Sequence, residues 1–293
     1  MLRWRILLGA SLIVVLIGLL WLDAVTTPPG KWLFFVALAI GLAAAQEVVA
    51  LFEAAGYRPL KSVVYGGTLL VICSNAIPLF WQPVPDDRPL ERLAWPLLAF
   101  TASLLAALVG EMSRYRQPGG VMVNVALAAF SVAYVGVLLS FALQLRVLGG
   151  AATGMTALVA LLVVVKLGDI GAYTVGRLIG RHKMAPFISP GKTLEGAAGA
   201  VGFACVGAWL SLVFVPIWMG RGVTQSALGW VVFGVVVGLA GILGDLAESL
   251  FKRDMGSKDS SSWLPGFGGI LDLLDSILFA APVAYLCWLL GMV

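Results

Sequence analysis

Charge, histidine and cysteine are all scarce in this sequence. Of 293 residues, 12% are charged, one is histidine and three are cysteine. Soluble globular domains carry about a quarter charged residues, so a water-soluble fold is excluded. Nineteen basic residues against fifteen acidic, for a net charge of +4, are too few and too scattered to build a nucleic-acid surface, and nucleic acid is excluded as a partner. Cys73, Cys205 and Cys287 each sit inside an apolar run. With no CxxC pair, neither a disulfide framework nor a local zinc site can be assembled, and the three read as packing residues. The lone His182 removes HExxH and every site that needs several imidazoles. Any metal here would be held by oxygen. A soluble domain, a long linker, a low-complexity tract and a clear internal repeat are missing too.

What is abundant is apolar surface: 60% of residues are hydrophobic and the mean hydropathy is +1.00. A hydrocarbon core about 30 Å thick takes roughly 20 apolar residues per helix, and runs of that length recur along the chain. The 35 glycines and 14 prolines among Leu, Val and Ala suit packed helices, whereas a β-barrel would show short alternating segments. The expected fold class is all-α, a polytopic integral membrane protein with about nine transmembrane helices. Spans are expected at 6–22, 32–52, 63–81, 94–112, 121–141, 155–175, 194–217, 226–246 and 268–290. The first follows Arg3 and Arg5 as a signal peptide would, but its 17 apolar residues exceed the usual apolar stretch of about 7–15, so an uncleaved span is expected. The loop 82–93, rich in proline and charge, reads as a solvated turn. Gly234 and Gly238 form a GxxxG that predicts close helix packing. Residues 1–150 read as an N-terminal transmembrane scaffold of about five helices, and 151–293 as a C-terminal transmembrane catalytic region of about four.

Short loops that stay cytoplasmic collect Lys and Arg. Thirteen basic residues fall in the segments on the N-terminal side, five on the opposite side, and Lys166 lies within a span. The expectation is a multi-pass protein of the cell (inner) membrane with its N-terminus cytoplasmic and its C-terminus outside.

Charge inside a membrane helix costs about 2.5–3.5 kcal/mol on insertion scales, so each charged group there needs a partner or a function. The second half collects them: Lys166 and Asp169 in span six, Glu195 opening span seven, Asp245 and Glu248 ending span eight, Asp272 and Asp275 beginning span nine. Under the topology above, these acids lie near one face, the face with the two most basic loops. A transporter places ionisable groups near the midplane; these cluster at the rim. Asp245 with Glu248, and Asp272 with Asp275, are three apart, so each pair projects from one helix face. Such helix ends can offer hard oxygen ligands, which suits Mg²⁺ held together with substrate phosphates and allows a second cation. The competing reading is local pairing with Lys252, Arg253 and Lys258. Lys166 is expected to neutralise Asp169.

Between spans six and seven, Ser189-Pro190-Gly191-Lys192-Thr193 leads into Leu194-Glu195-Gly196. A Walker A motif would need glycine at 186, where this chain has Pro186. The remaining cluster opens a helix, where free N–H groups, the helix dipole and Lys192 favour a phosphate; a plain positive-inside loop is the alternative.

Two blocks carry a resemblance to a known family. The first is Asp169-Ile-Gly-Ala-Tyr173-Thr-Val-Gly176-Arg-Leu-Ile-Gly180, continuing to Ser189 through Gly196. The second runs Gly244-Asp245-Leu-Ala-Glu248-Ser249-Leu-Phe-Lys252-Arg253, Lys258-Asp259, then Leu264-Pro265-Gly266-Phe267-Gly268-Gly269-Ile-Leu-Asp272-Leu273-Leu274-Asp275-Ser276. Together they are similar to the DxxAYxxGxxxG, SPKKTxEG, SxxKR, KD and GGxxDxxDS patterns of the CDP-diacylglycerol synthase (phosphatidate cytidylyltransferase) family. The chain departs from that family at Gly191, Phe267 and Leu273, where Lys, His and Arg are usual; its acidic residues are complete.

The resemblance implies transfer of a cytidylyl group from CTP to phosphatidate in the bilayer, with release of pyrophosphate and Mg²⁺ as cofactor. It implies Asp245 and Asp272 as principal metal ligands, supported by Glu248 and Asp275, and Lys192, Lys252 and Arg253 as the groups that hold phosphate oxygens. Asp169, Tyr173, Ser189, Thr193, Glu195, Lys258, Asp259, Gly268 and Gly269 are its substrate candidates, with interface anchoring the alternative for Tyr173. A homodimer is allowed. The alternatives are a related lipid cytidylyltransferase or lipid kinase with another lipid substrate, a transporter using the intramembrane acids, and a scaffold with a decayed site.

Overall fold

The computed structural model of the chain describes residues 2–81, 88–222, 226–261, 263 and 268–293, with side chains from residue 9 onward. Of the sequence features above, part of the second block (Leu264, Pro265, Gly266 and Phe267), loop residues 82–87 and the side chains of Arg3 and Arg5 lie outside the described residues. The chain divides into two compact units, Met1–Gln144 with Met255–Leu273, and Leu145–Asp254 with Leu274–Val293.

The first unit begins with α1 (Leu2–Val25) and α2 (Lys31–Ala54). Between them the buried Asp23 accepts the Gly30 and Trp32 amides at 3.0 and 3.1 Å, which serves N–H groups that the start of α2 cannot pair internally. Then come α3 (Lys61–Ser74), α4 (Glu91–Arg114), α5 (Val121–Ser131) and α6 (Leu138–Arg146). Small and β-branched residues make its core: Ala45 and Val49 of α2, Val64 of α3, Ala107 of α4, Val125 and Ala128 of α5. Two π-helical segments, Ile77–Trp81 and Val132–Val137, flank a buried polar network. Asn75 donates to Ser140 at 2.8 Å and accepts from Gln144 at 2.7 Å, as polar groups without water must do.

The second unit holds α7 (Gly150–Ile179), a ribbon of β1 (Lys183–Ala185) and β2 (Ser189–Thr193), α8 (Leu194–Trp218), α9 (Ala227–Asp254) and the body of α10 (Ile270–Leu289). The strands pair antiparallel, Lys183 with Thr193 and Ala185 with Ser189. The sequence reading has no strands, and this ribbon is an addition to it. Helix α7, with 30 residues, is about 45 Å long at 1.5 Å per residue, so it outruns the hydrocarbon core. Helices α8 and α9 pack through the GxxxG: a Cβ on Gly234 would stand 2.5 Å from the Cys205 Cα, and one on Gly238 2.7 Å from the Ala204 Cβ.

The all-α membrane class is borne out. Eight helices among the described residues are long and apolar enough to cross a membrane, from Lys31–Ala54 to Ile270–Leu289. The ninth expected span is α1, whose apolar described stretch is the shorter Gly9–Val25.

Candidate active site

In the second unit, three helices and the ribbon bring charged groups to one end. Thr193 is the N-cap of α8: its backbone is extended and its hydroxyl accepts the Gly196 amide at 3.1 Å, the usual way a Ser or Thr serves a helix start. This capping lets β2 run straight into α8 and places Lys192 beside Asp245 of α9. The Lys192 Nζ lies 2.8 Å from the Asp245 Oδ2. Ser249 adds a 3.4 Å contact from its Oγ to the other Asp245 oxygen. Asp169 of α7 is paired with Lys166 at 3.1 Å, as expected from their spacing, and is within electrostatic reach of Asp245 and Lys192. Asp275 is buried and within electrostatic reach of Asp245, Asp169 and Lys166. Glycine permits this approach: a Cβ on Gly244 would lie 2.8 Å from the Asp275 carbonyl oxygen.

Other candidates of the second unit have structural partners. Glu248 and Lys252 form a buried ion pair at 2.9 Å, the local pairing that is the rival reading for these acids. Glu195 clasps the ribbon: the Arg181 amide donates to it at 3.1 Å, and the His182 Nδ1 lies 2.6 Å from its Oε1. Arg253, exposed, donates from Nε to the Ile188 carbonyl at 3.4 Å and so ties the end of α9 to the ribbon. Ser189 is half-buried in β2. Tyr173 is 64% exposed, and Arg177 donates to its hydroxyl at 2.5 Å while lying over its ring.

In the first unit, Asp272 occupies the third position of α10. Its Oδ2 accepts the Gly269 amide at 2.7 Å and the Ser260 amide at 3.0 Å, and the Ser260 Oγ is 2.6 Å away. The bond back to the residue before the helix is one half of a capping box. Gly268 has φ +88°, a conformation that glycine alone adopts without cost. Lys258 and Asp259 are exposed in the stretch leading to α10.

One residue here escapes a reading of the sequence alone. Glu47 of α2 is buried with four donors in hydrogen-bond range: the Ser261 hydroxyl (2.7 Å), the amides of Ile270 (2.9 Å) and Leu271 (2.8 Å), and the Ser260 hydroxyl (2.9 Å), whose single proton it shares with Asp272. No local signal marks it, because these donors lie 213 to 224 residues further along the chain. The only clue in the sequence is the cost of a carboxylate within an apolar span.

Among the described residues, no group of three or more His, Cys, Asp or Glu side chains is placed to hold a metal ion by itself. The donors are nevertheless hard carboxylate oxygens beside a lysine. Mg²⁺ commonly takes one or two protein carboxylates and completes its shell with water and substrate phosphate, so the donor set fits that ion.

A family model described as "Cytidylyltransferase family" matches residues 3–290. The phosphatidate cytidylyltransferase of Staphylococcus aureus (strain COL) is 38% identical over 189 residues, which cover 64% of this chain and 66% of that protein. The enzyme of the same name from Staphylococcus saprophyticus is also 38% identical over 189 residues, with the same coverage. That of Staphylococcus epidermidis (strain ATCC 12228) is 36% identical, again over 64% of this chain and 66% of the relative. The chain thus spans just under two thirds of the length of the curated relatives it matches.

Proposed function

The chain belongs to the cytidylyltransferase family, and from that membership we propose that it transfers the cytidylyl group of CTP to phosphatidate, giving CDP-diacylglycerol and pyrophosphate. The observation that carries the reading is the Lys192–Asp245 pair at 2.8 Å with Asp169 and Asp275 in electrostatic reach. A group that attracts phosphate and a group that attracts a cation stand side by side.

The reaction asks for little else. A phosphatidate oxygen, already anionic at neutral pH, forms a bond to the α-phosphorus of CTP, and the bond from that phosphorus to the β-phosphate bridging oxygen breaks. The nucleophile needs no strong general base; two polyanions must be held together in line. Lys192 and Arg253 can take phosphate oxygens, and Lys252 can join them by exchanging its bond to Glu248. Of the second unit, Asp245 would hold Mg²⁺, with Asp275 and Glu248 in support; in the first unit the family pattern gives Asp272 the same task. The ion, when bound, neutralises charge on the leaving pyrophosphate. Asp169, Tyr173, Ser189, Lys258 and Asp259 remain substrate contacts in this reading, while Thr193, Glu195, Gly268 and Gly269 shape the backbone around them.

The thirteen-to-five bias of basic residues supports a cell-membrane protein whose N-terminus is cytoplasmic, which puts the site where CTP arrives and lipid headgroups lie. The test uses purified protein in detergent with labelled CTP and phosphatidate. Wild type is expected to form the liponucleotide, and Asp245→Asn and Asp272→Asn each to lose about 100-fold or more, the several kcal/mol that ion-borne charge stabilisation supplies. Equal turnover in all three would discard the ligand assignment. Solute flux in sealed vesicles without CTP turnover would replace the enzyme with a carrier.

A further inference from the structure

Glu47 is 3% exposed within an apolar helix, a costly place for a carboxylate, and it is met there by four donors. Two of these are the amides of Ile270 and Leu271, the first two residues of α10. Such amides have no partner within their own helix, and Gly269 before them has no side chain to offer. Glu47 therefore caps α10 from a different helix. The third residue of the same turn is Asp272.

Ser260 links the two acids. Its hydroxyl oxygen is 2.9 Å from the Glu47 Oε2 and 2.6 Å from the Asp272 Oδ2, and its amide donates to the same Asp272 oxygen at 3.0 Å. Gly269 completes the arrangement, since a Cβ there would overlap the Ser260 Oγ and the Glu47 carboxylate. Glycine at 269 is what allows Glu47 to come so close. Ser261 provides a built-in contrast: it donates to Glu47 at 2.7 Å, while of the two serines it is Ser260 that also meets Asp272.

We propose that Glu47 is a positioning residue for Asp272, fixing the Asp272 carboxylate through Ser260 and the first turn of α10. The proposal rests on the cation-ligand role assigned to Asp272 above. If Glu47 were a helix cap and nothing more, Ser260 and Ser261 would be equivalent props, and removing either would cost stability alone. A positioning role makes them unequal, because only Ser260 reaches Asp272.

The test compares Glu47→Gln, Ser260→Ala and Ser261→Ala in the full-length protein in detergent. Three readouts are taken: melting temperature, Mn²⁺ affinity by electron paramagnetic resonance in the presence of CTP, and kcat and KM with CTP and phosphatidate. Partners that orient a metal ligand are worth about 10- to 100-fold. Glu47→Gln and Ser260→Ala are expected to weaken Mn²⁺ binding and lower kcat by that factor, with KM for CTP within about twofold, while Ser261→Ala lowers the melting temperature but leaves Mn²⁺ affinity and kcat within about twofold of wild type. Wild-type behaviour of Ser260→Ala, or equal losses for Ser260→Ala and Ser261→Ala, would overturn the proposal. If Glu47→Gln fails to fold, the two serine variants decide. If wild type binds Mn²⁺ but does not turn over CTP, the proposed activity falls, and the Mn²⁺ affinities still judge Glu47.

Discussion

Lys192 is already engaged by Asp245 at 2.8 Å, so an incoming triphosphate must draw it away or share it. The residue before it is a glycine in an exposed stretch of β2. Its φ lies outside the left-handed region, and nothing stands within 4 Å of where its Cβ would be. The lysine usual in the family would therefore fit at 191, and its replacement here has no steric cause in the structure. Charged hydrogen bonds to phosphate contribute about 1.5–3 kcal/mol, less where solvent screens them. Gly191→Lys is expected to lower KM for CTP by about threefold to tenfold at low ionic strength, an advantage that shrinks as salt shortens the Debye length. Steady-state kinetics at two ionic strengths check this. An unchanged KM at both would mean that β2 does not face the nucleotide phosphates. The departure at 191 is readable in the sequence, but the open space above it is a property of the folded ribbon.

Helices α7 and α8 meet along a seam of glycines. A Cβ on Gly171 would lie 2.5 Å from the Gly199 carbonyl oxygen and 2.7 Å from the Phe203 side chain, and one on Gly199 2.5 Å from Val175. Gly202, one turn or less away on α8, has nothing within 4 Å. The close approach allows backbone-to-backbone packing that lipid cannot replace, and it sets the register in which Asp169 of α7 and Thr193 before α8 stand at the same end. Gly171→Ala forces the helices apart and is expected to cost about 1–3 kcal/mol, as overpacking does. Gly202→Ala relieves the backbone entropy of a helical glycine and is expected to be neutral or to add up to about 1 kcal/mol. Thermal unfolding in detergent separates the two; equal melting temperatures would mean that the seam does not hold the helices together. Legibility at this scale follows range. Helical spans show as apolar runs, and the Lys166–Asp169 pair as a spacing of three. The ribbon does not show, because strands of three and five residues are too short for an alternating pattern and Pro190-Gly191 reads as a turn. The task of Glu47 does not show for a different reason: all four of its donors are more than 200 residues away in the chain.

At the scale of the whole molecule, charge is scarce, at 12% of residues. Its membrane class follows from composition, because no packing arrangement can hide 60% hydrophobic residues in a soluble globule. Which stretches fold together is decided by contacts remote in sequence, such as those joining Met255–Leu273 to Met1–Gln144, and local composition carries no trace of them. Orientation is a further whole-molecule property, and it can be tested directly. Helix α8, Leu194–Trp218, is 25 residues long, about 37 Å at 1.5 Å per residue, enough to cross a bilayer. Phe187 precedes it at the turn of the ribbon, 97% exposed, and Arg221 follows it, also exposed. If α8 crosses, these two positions face opposite sides of the membrane, and the bias of basic loops predicts that Phe187 is on the cytoplasmic one. In a background with Cys73→Ala, Cys205→Ala and Cys287→Ala, a membrane-impermeant maleimide is expected to label Phe187→Cys in inverted vesicles but not in intact cells, and Arg221→Cys in the reverse pattern. Exchange of the two patterns would invert the topology and move the proposed site away from its nucleotide. Labelling of both from one side would show that α8 does not cross at all.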